Sequence, residues 1–244
     1  MADKTYIGKG KVYAKVKGAS AELKELGNCS SLTISIQEEV REIQNYQVAS
    51  GGTLNEVRQI TGAEIQMSLH EILTDNLDII LRGSSSADTG AAITTEAVTG
   101  YADSLSRLAH SGTLTSVTVT GSGGTPTYVA DTDYEVRNGG IYVLSTGSIS
   151  NGTALEVDYT YATTDVIEAM FTSAQEYVLF FDGLNEAQSG KPFQVDVHRC
   201  RFGVGENFGL IQDDFAEFSV TGKALADTDK GSSVSQYFKI TSVA

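Results

Sequence analysis

Hydrophobic and polar positions alternate with a period of two through much of the chain. Leu32, Ile34 and Ile36 fall on one side of an extended segment while Thr33, Ser35 and Gln37 fall on the other. The same rhythm sets Ile65, Met67 and Leu69 against Glu64, Gln66 and Ser68, and later Ala216, Phe218 and Val220 against Glu217, Ser219 and Thr221. Segments patterned this way build sheets with one dry face and one wet face. Turn chemistry separates them. Asn138-Gly139-Gly140 joins a strand over 134–137 to one over 141–144, and Asn151-Gly152 precedes one over 154–161, so each reads as a hairpin turn. Only two prolines, Pro126 and Pro192, interrupt the 244 residues, which suits long strands. One helix is predicted over 75–82. Thr74 serves as its cap, Asp75 and Asp78 favour its positive end, Gly83 suits its stop, and Leu77, Ile80 and Leu81 form its packing face. A second, weaker helical or turn segment covers 20–26. The pattern predicts a mainly β fold with one short helix.

Composition divides this β chain into parts. Ser84-Ser85-Ser86 opens a small, polar stretch that reads as a linker. From 96 to 165 there is no lysine, and Arg107 and Arg137 are the sole basic residues among abundant Thr, Ser, Gly and Val. Residues 1–95 carry nine basic and twelve acidic groups (net −3), 96–165 two and eight (net −6), and 166–244 six and eleven (net −5). The expected organisation is a discontinuous core domain, 1–95 with 166–244, interrupted by an inserted β domain, 96–165. The segment between Glu38 and Arg58, with Ser50-Gly51-Gly52 near its middle, is too polar to bury itself. It reads as a long hairpin or arm that packs on a neighbouring chain, with a surface loop as the alternative.

Charge and candidate chemistry narrow the function by exclusion. Seventeen Lys and Arg against 31 Asp and Glu give a net charge of −14, which repels phosphate backbones and anionic lipid head groups. No apolar run reaches the length of a membrane span, and residues 1–10 lack a hydrophobic signal core, so the expectation is synthesis in the cytosol without membrane binding. Cys29 and Cys200 are then expected as free thiols, and the sequons at Asn28 and Asn151 carry no weight. His70, His110 and His198 have no ligand spacing, although His198 and Cys200 stand two apart and so on one strand face. Gly203-x-Gly205, ending near Gly209, lacks the strand-turn-helix setting of a dinucleotide loop, and Gly121-Ser122-Gly123-Gly124 lacks the Lys-Ser/Thr of a phosphate loop. Asp131, Asp133 and Glu135 share a strand face but lack the glycine turn and closing glutamate of a calcium loop, so they read as a solvated acidic edge. The adjacent carboxylates Glu38-Glu39 and Asp213-Asp214 point opposite ways on a strand. No catalytic residue, cofactor or metal ligand is assigned, and an enzyme is not expected.

The two ends of the chain resemble the tail tube proteins of long-tailed bacteriophages. The resemblance rests on Tyr6-Ile7-Gly8-Lys9-Gly10-Lys11-Val12-Tyr13 and on Leu26-Gly27-Asn28 leading into the strand from Leu32 to Ile36. It continues through the glycine-containing arm, Arg58, Ser68-Leu69-His70 and a helix with Asn76-Leu77 closing at Leu81-Arg82-Gly83. It resumes at Phe181-Asp182-Gly183-Leu184-Asn185, Lys191-Pro192-Phe193 and Asp213-Asp214-Phe215-Ala216-Glu217-Phe218. The order and spacing of these strings carry it, none being distinctive alone. The insert looks like the immunoglobulin-like or similar β additions displayed outside some tubes.

The resemblance implies a tail-tube β-sandwich or barrel whose subunits form stacked hexameric rings around a channel. Its partners would be further copies of itself, a tape-measure protein, and tail terminator and distal tail proteins. DNA would pass only in transit, in a virion tail assembled in the host cytoplasm. A channel that lets DNA slide should be polar and poor in Lys and Arg. The wet-face residues Thr33, Ser35, Gln37, Glu39, Glu64, Gln66, Ser68, Glu217, Ser219 and Thr221 contain no base and become the lumen-facing candidates, unless they face outer solvent. Tyr46, Val48, Leu54, Val57 and Arg58 are the inter-subunit arm candidates. The competing reading is a virion decoration protein or host-surface adhesin in which the insert binds the ligand.

Overall fold

The structure is a computed structural model that describes residues 5–205, 209–231 and 233–243. In chain order the strands and helix are β1 Gly8–Val16, β2 Lys24–Glu25, β3 Cys29–Gln44, β4 Thr53–Leu69, α1 Thr74–Leu81, β5 Ser84–Asp88, β6 Ala92–Gly100, β7 Ser104–Arg107 and β8 Leu114–Gly121. Then follow β9 Tyr134–Arg137, β10 Gly140–Val143, β11 Thr153–Tyr161, β12 Thr164–Glu168, β13 Glu176–Asn185, β14 Lys191–Phe202, β15 Phe218–Ala224 and β16 Phe238–Ser242. The mainly β fold with one short helix is the one the alternating pattern predicts. Two compact units divide the chain: Met1–Ser85 with Ile167–Ala244, and Ser86–Val166.

The first unit is one antiparallel sheet in the order β2-β1-β13-β14-β15-β4-β3, with β16 added beside β14. The sheet forks at β14, whose Phe193–Val197 stretch pairs with β16 while Cys200–Phe202 pairs with β15. Val12 of β1, Leu179 of β13, Val197 and Phe202 of β14, Val220 of β15, and Ile65 and Met67 of β4 all bury into one cluster. Strands far apart in the sheet order share that core, so the sheet curls around it. Burying each such side chain is worth about 1.5–3 kcal/mol, and this drives the curl. Gly10 pairs with Gly183 where β1 meets β13. A Cβ on Gly183 would fall 2.1 Å from the Phe181 ring, and one on Gly10 would fall 2.4 Å from the Asp182 carbonyl oxygen. These glycines let the ring fold back over the backbone.

Helix α1 closes the core through Ile79 and Ile80, with Leu81 partly buried against it, and also buries Leu77. The expected cap is corrected. Leu73 occupies the cap position and Thr74 is already helical, while the left-handed stop falls on Arg82 (φ 49°) rather than Gly83. What ties the helix to the sheet is the fully buried Asn76, whose amide donates to the carbonyls of Leu26 (2.9 Å) and Glu71 (3.1 Å). The weak helical reading of 20–26 is also corrected, since Lys24–Glu25 pairs with β1 as β2.

The second unit holds two three-stranded sheets, β7-β10-β9 and β6-β11-β8. Their inner faces share a core that includes Val119, Tyr134, Ile141, Val143, Leu155 and Val157. The expected start at 96 falls inside β6, whose Ala92 and Ile93 pair with Thr160 and Tyr159 of β11. The serine stretch expected as a linker forms β5, which pairs with β12. Asn138-Gly139 turns β9 into β10 as predicted. Asn151-Gly152 makes no hairpin: β11 pairs with β6 and β8, not with the strand before the turn.

Candidate assembly surface

The arm is the outer part of the β3–β4 hairpin. Strands of 16 and 17 residues are far longer than the core requires, and the pairing runs on from Gln37–Gly62 to Gln44–Thr53. A bulge at Thr61, between the Gln37–Gly62 and Glu38–Ile60 pairs, resets the register where the arm leaves the body. Apart from Asn45, every residue from 35 to 61 is exposed. Ile36, Val40, Ile43, Tyr46, Val48, Leu54, Val57 and Ile60 all stand exposed, Tyr46 at the tip by 85%. Both faces carry apolar groups: by alternation Ile36 and Val40 share a face with Glu38, and Ile43 shares one with Arg41. Ion pairs line the arm, Arg41 with Glu39 at 3.0 Å and Arg58 with Glu56 at 2.9 Å and Glu38 at 3.7 Å. Pairs two residues apart on one strand share a face and hold its charges locally. The candidates Tyr46 and Val48 lie in the tip, and Leu54, Val57 and Arg58 on β4.

The wet face of the sheet assembles as a grid. Ser219 of β15 pairs with Ser68 of β4, which pairs with Ser31 of β3; Thr221, Gln66 and Thr33 form the next row, and Lys223, Glu64 and Ser35 the third. Gln37 donates to Glu64 at 2.7 Å and continues the face. Glu39 extends it onto the arm, and exposed Glu217 stands just before β15. Two details differ from the sequence reading. Ser68 is buried and bonded to Ser219 at 3.3 Å, so it is no surface position in this chain. The face does carry bases: β15 runs on to Ala224, so its period of two places Lys223 beside Glu64, and on the arm the same period adds Arg41. Hydroxyl and amide groups still dominate it.

Beside β3 lies an open groove of about 690 Å³. Leu32 and Ile34 line it from β3, Leu179 and Phe181 from β13, and Phe193 and Val195 from β14. Lys9 is the one charged residue among its described lining residues. The groove exists because β1 and β3 are not hydrogen-bonded to each other, so the curled sheet stays open along this seam. Cys29 is among its lining residues, where burial pushes the thiol above its ordinary pKa.

The remaining sequence candidates are placed as follows. Cys29 and Cys200 are free. The proposed common face of His198 and Cys200 is corrected: a bulge opposite Val178 turns Cys200 into the core, where burial raises its pKa to about 12, while His198 faces Asp196 and Lys239 outside. Gly203 and Gly205 donate to Thr221 and Ile80 carbonyls as plain loop contacts. Asp133 is not a solvated edge group. Buried, it accepts from the amides of Val129 and Ser148 and the Ser148 hydroxyl, and these donors, the Val129 amide first, hold its pKa below the usual carboxylate value. Sequence reasoning missed a further cluster, His110 bonded to Asp88 at 2.7 Å and stacked on Tyr161, because its members lie 22 and 73 residues from Asp88. Among the described residues no group of three or more His, Cys, Asp or Glu is arranged to hold a metal ion. No helix among them is long and apolar enough to cross a membrane.

No curated protein matches the sequence. Residues 5–241 match one family model, described as "Protein of unknown function UCP028589". That match runs through both units, and the chain therefore belongs to this family.

Proposed function

We propose that this protein is a structural subunit that assembles with copies of itself into the stacked rings of a bacteriophage tail tube. The observation that carries the reading is the arm. A two-stranded hairpin alone in water is marginally stable, and this one bears apolar side chains on both faces with no cover from the described residues of its own chain. Such a hairpin gains stability when a neighbouring copy supplies the missing surface. The edge strand β3 adds to this, since among the described residues it pairs only with β4 and offers 16 residues of backbone for further pairing.

The polar grid of β15, β4 and β3 suits a channel lining. Its hydroxyl and amide groups offer little to grip phosphate, and Lys223 stands opposite the acidic Glu64 in the strand pairing. Within this reading the tube conducts DNA in transit, the tape-measure, terminator and distal tail proteins are its partners, and the second unit stands on the exterior. Negative-stain electron microscopy of the purified protein over a concentration series tests it. Rings or hollow tubes with a central channel are expected. Persistent monomers that bind a glycan or protein through the second unit would replace the tube by a decoration or adhesin role.

A further inference from the structure

The loop before β15 presents an unusual surface. Ile211 is 98% exposed, Phe215 92% and Leu210 80%, among the most exposed large hydrophobic side chains of the described chain. The same nine residues, 209–217, carry Asp213, Asp214 and Glu217 and no base. An apolar, acidic loop is repelled by most of a surface whose net charge is −14. The groove beside β3 is complementary to it: Leu32, Ile34, Leu179, Phe181, Phe193 and Val195 give it an apolar floor among hydroxyl groups, and Lys9 is the one charged residue among its described lining residues. Its 690 Å³ is several times the bulk of one large side chain.

We infer that the 209–217 loop of one copy docks in the β3 groove of a second copy, with Ile211 and Phe215 as anchors and Asp213 or Asp214 facing Lys9. The chain's own groove does not take the loop, since loop and groove are open in the same structure. Donor and acceptor surfaces differ, the loop leading into β15 and the groove lying beyond β4 along β3. Such a head-to-tail contact propagates, closing into a ring when the rotation allows and otherwise continuing as a filament. Burying two or three such anchors in a desolvated pocket follows the pattern in which a few residues dominate an interface. The inference rests on the self-assembly reading and adds to it a specific contact between copies.

Cys29 in the groove lining provides the test. A full-length copy carrying Ile211→Cys and Cys29→Ser is mixed with a differently tagged copy that keeps Cys29, and the mixture is oxidised; buried Cys200 is the internal control. A covalent heterodimer through positions 211 and 29 is expected. In parallel, Ile211→Ser with Phe215→Ser should weaken self-association at least tenfold by sedimentation velocity. Pairing Lys9→Glu with Asp213→Lys and Asp214→Lys should recover part of what each change alone loses. Rings or tubes that form as in the unaltered chain, without the cross-link, overturn the groove contact and leave the tube standing. A copy with Ile211→Cys and intact Cys29 that cross-links only within itself makes the loop a lid on its own groove and also overturns the contact. Monomers at every concentration, with no cross-link, overturn both.

Discussion

Asp133 illustrates what one carboxylate does when the chain wraps it in donors. Its two oxygens organise the turn at 129–133 and the loop at 148 together, and no water is needed to satisfy them. Replacing it by alanine strands the Val129 and Ser148 amides, at a cost of about 1–3 kcal/mol. Hydrogen exchange at those two amides in the full chain should speed accordingly, while exchange in β13 and β14 should not change. The pH dependence has a definite sign. Because the folded pKa lies below the unfolded one, the Asp133 contribution is fully present above the ordinary carboxylate value of about 4. It is lost as pH falls through the depressed folded value. Asp227, lowered chiefly by its bond from Lys17, and Glu176, lowered chiefly by Arg199, add the same sign in the first unit. Protection of the two amides at neutral pH that persists unchanged in Asp133→Ala would remove the carboxylate from this role.

At the scale of elements the arm is separable because its pairing is internal to one hairpin. The Glu38–Ile60 pair lies just beyond the bulge, so removing 39–59 and joining Glu38 to Ile60 through Asn-Gly keeps β3 and β4 in register. The shortened chain should melt within a few degrees of the parent and stay monomeric under conditions in which the proposed function has the parent form rings. Calorimetry and sedimentation velocity together check this, and tubes formed by the shortened chain would deny the arm its part in assembly. Such independence is not shared by α1, whose Asn76 ties it to the Leu26 and Glu71 carbonyls and whose Ile79 and Ile80 complete the core.

For the whole molecule, the two units have separate cores, and the chain crosses between them at Ser85–Ser86 and Val166–Ile167. Replacing 86–166 by a short Gly-Ser bridge removes one core entirely and leaves the other intact. The remaining chain should keep its β-sheet circular dichroism and, under the proposed function, form rings under the microscope as the parent is expected to. A folded but monomeric product would make the second unit part of the subunit interface instead of an exterior addition.

The sequence by itself determined the strand-dominated fold, the dry and wet faces of β3, β4 and β15, the existence of α1, and the hairpin between Glu38 and Arg58. Each of these follows from local periodicity, turn residues or charge, which neighbours along the chain express directly. Tertiary structure decided the rest. Only cross-strand pairing set Lys223 beside Glu64, buried Ser68 and turned Cys200 away from His198 through a bulge. Only long-range pairing of Ala92 and Ile93 with β11 moved the start of the second unit to Ser86. The groove beside β3 depends on how far the curled sheet closes, which is set by strands more than a hundred residues apart and by no local pattern.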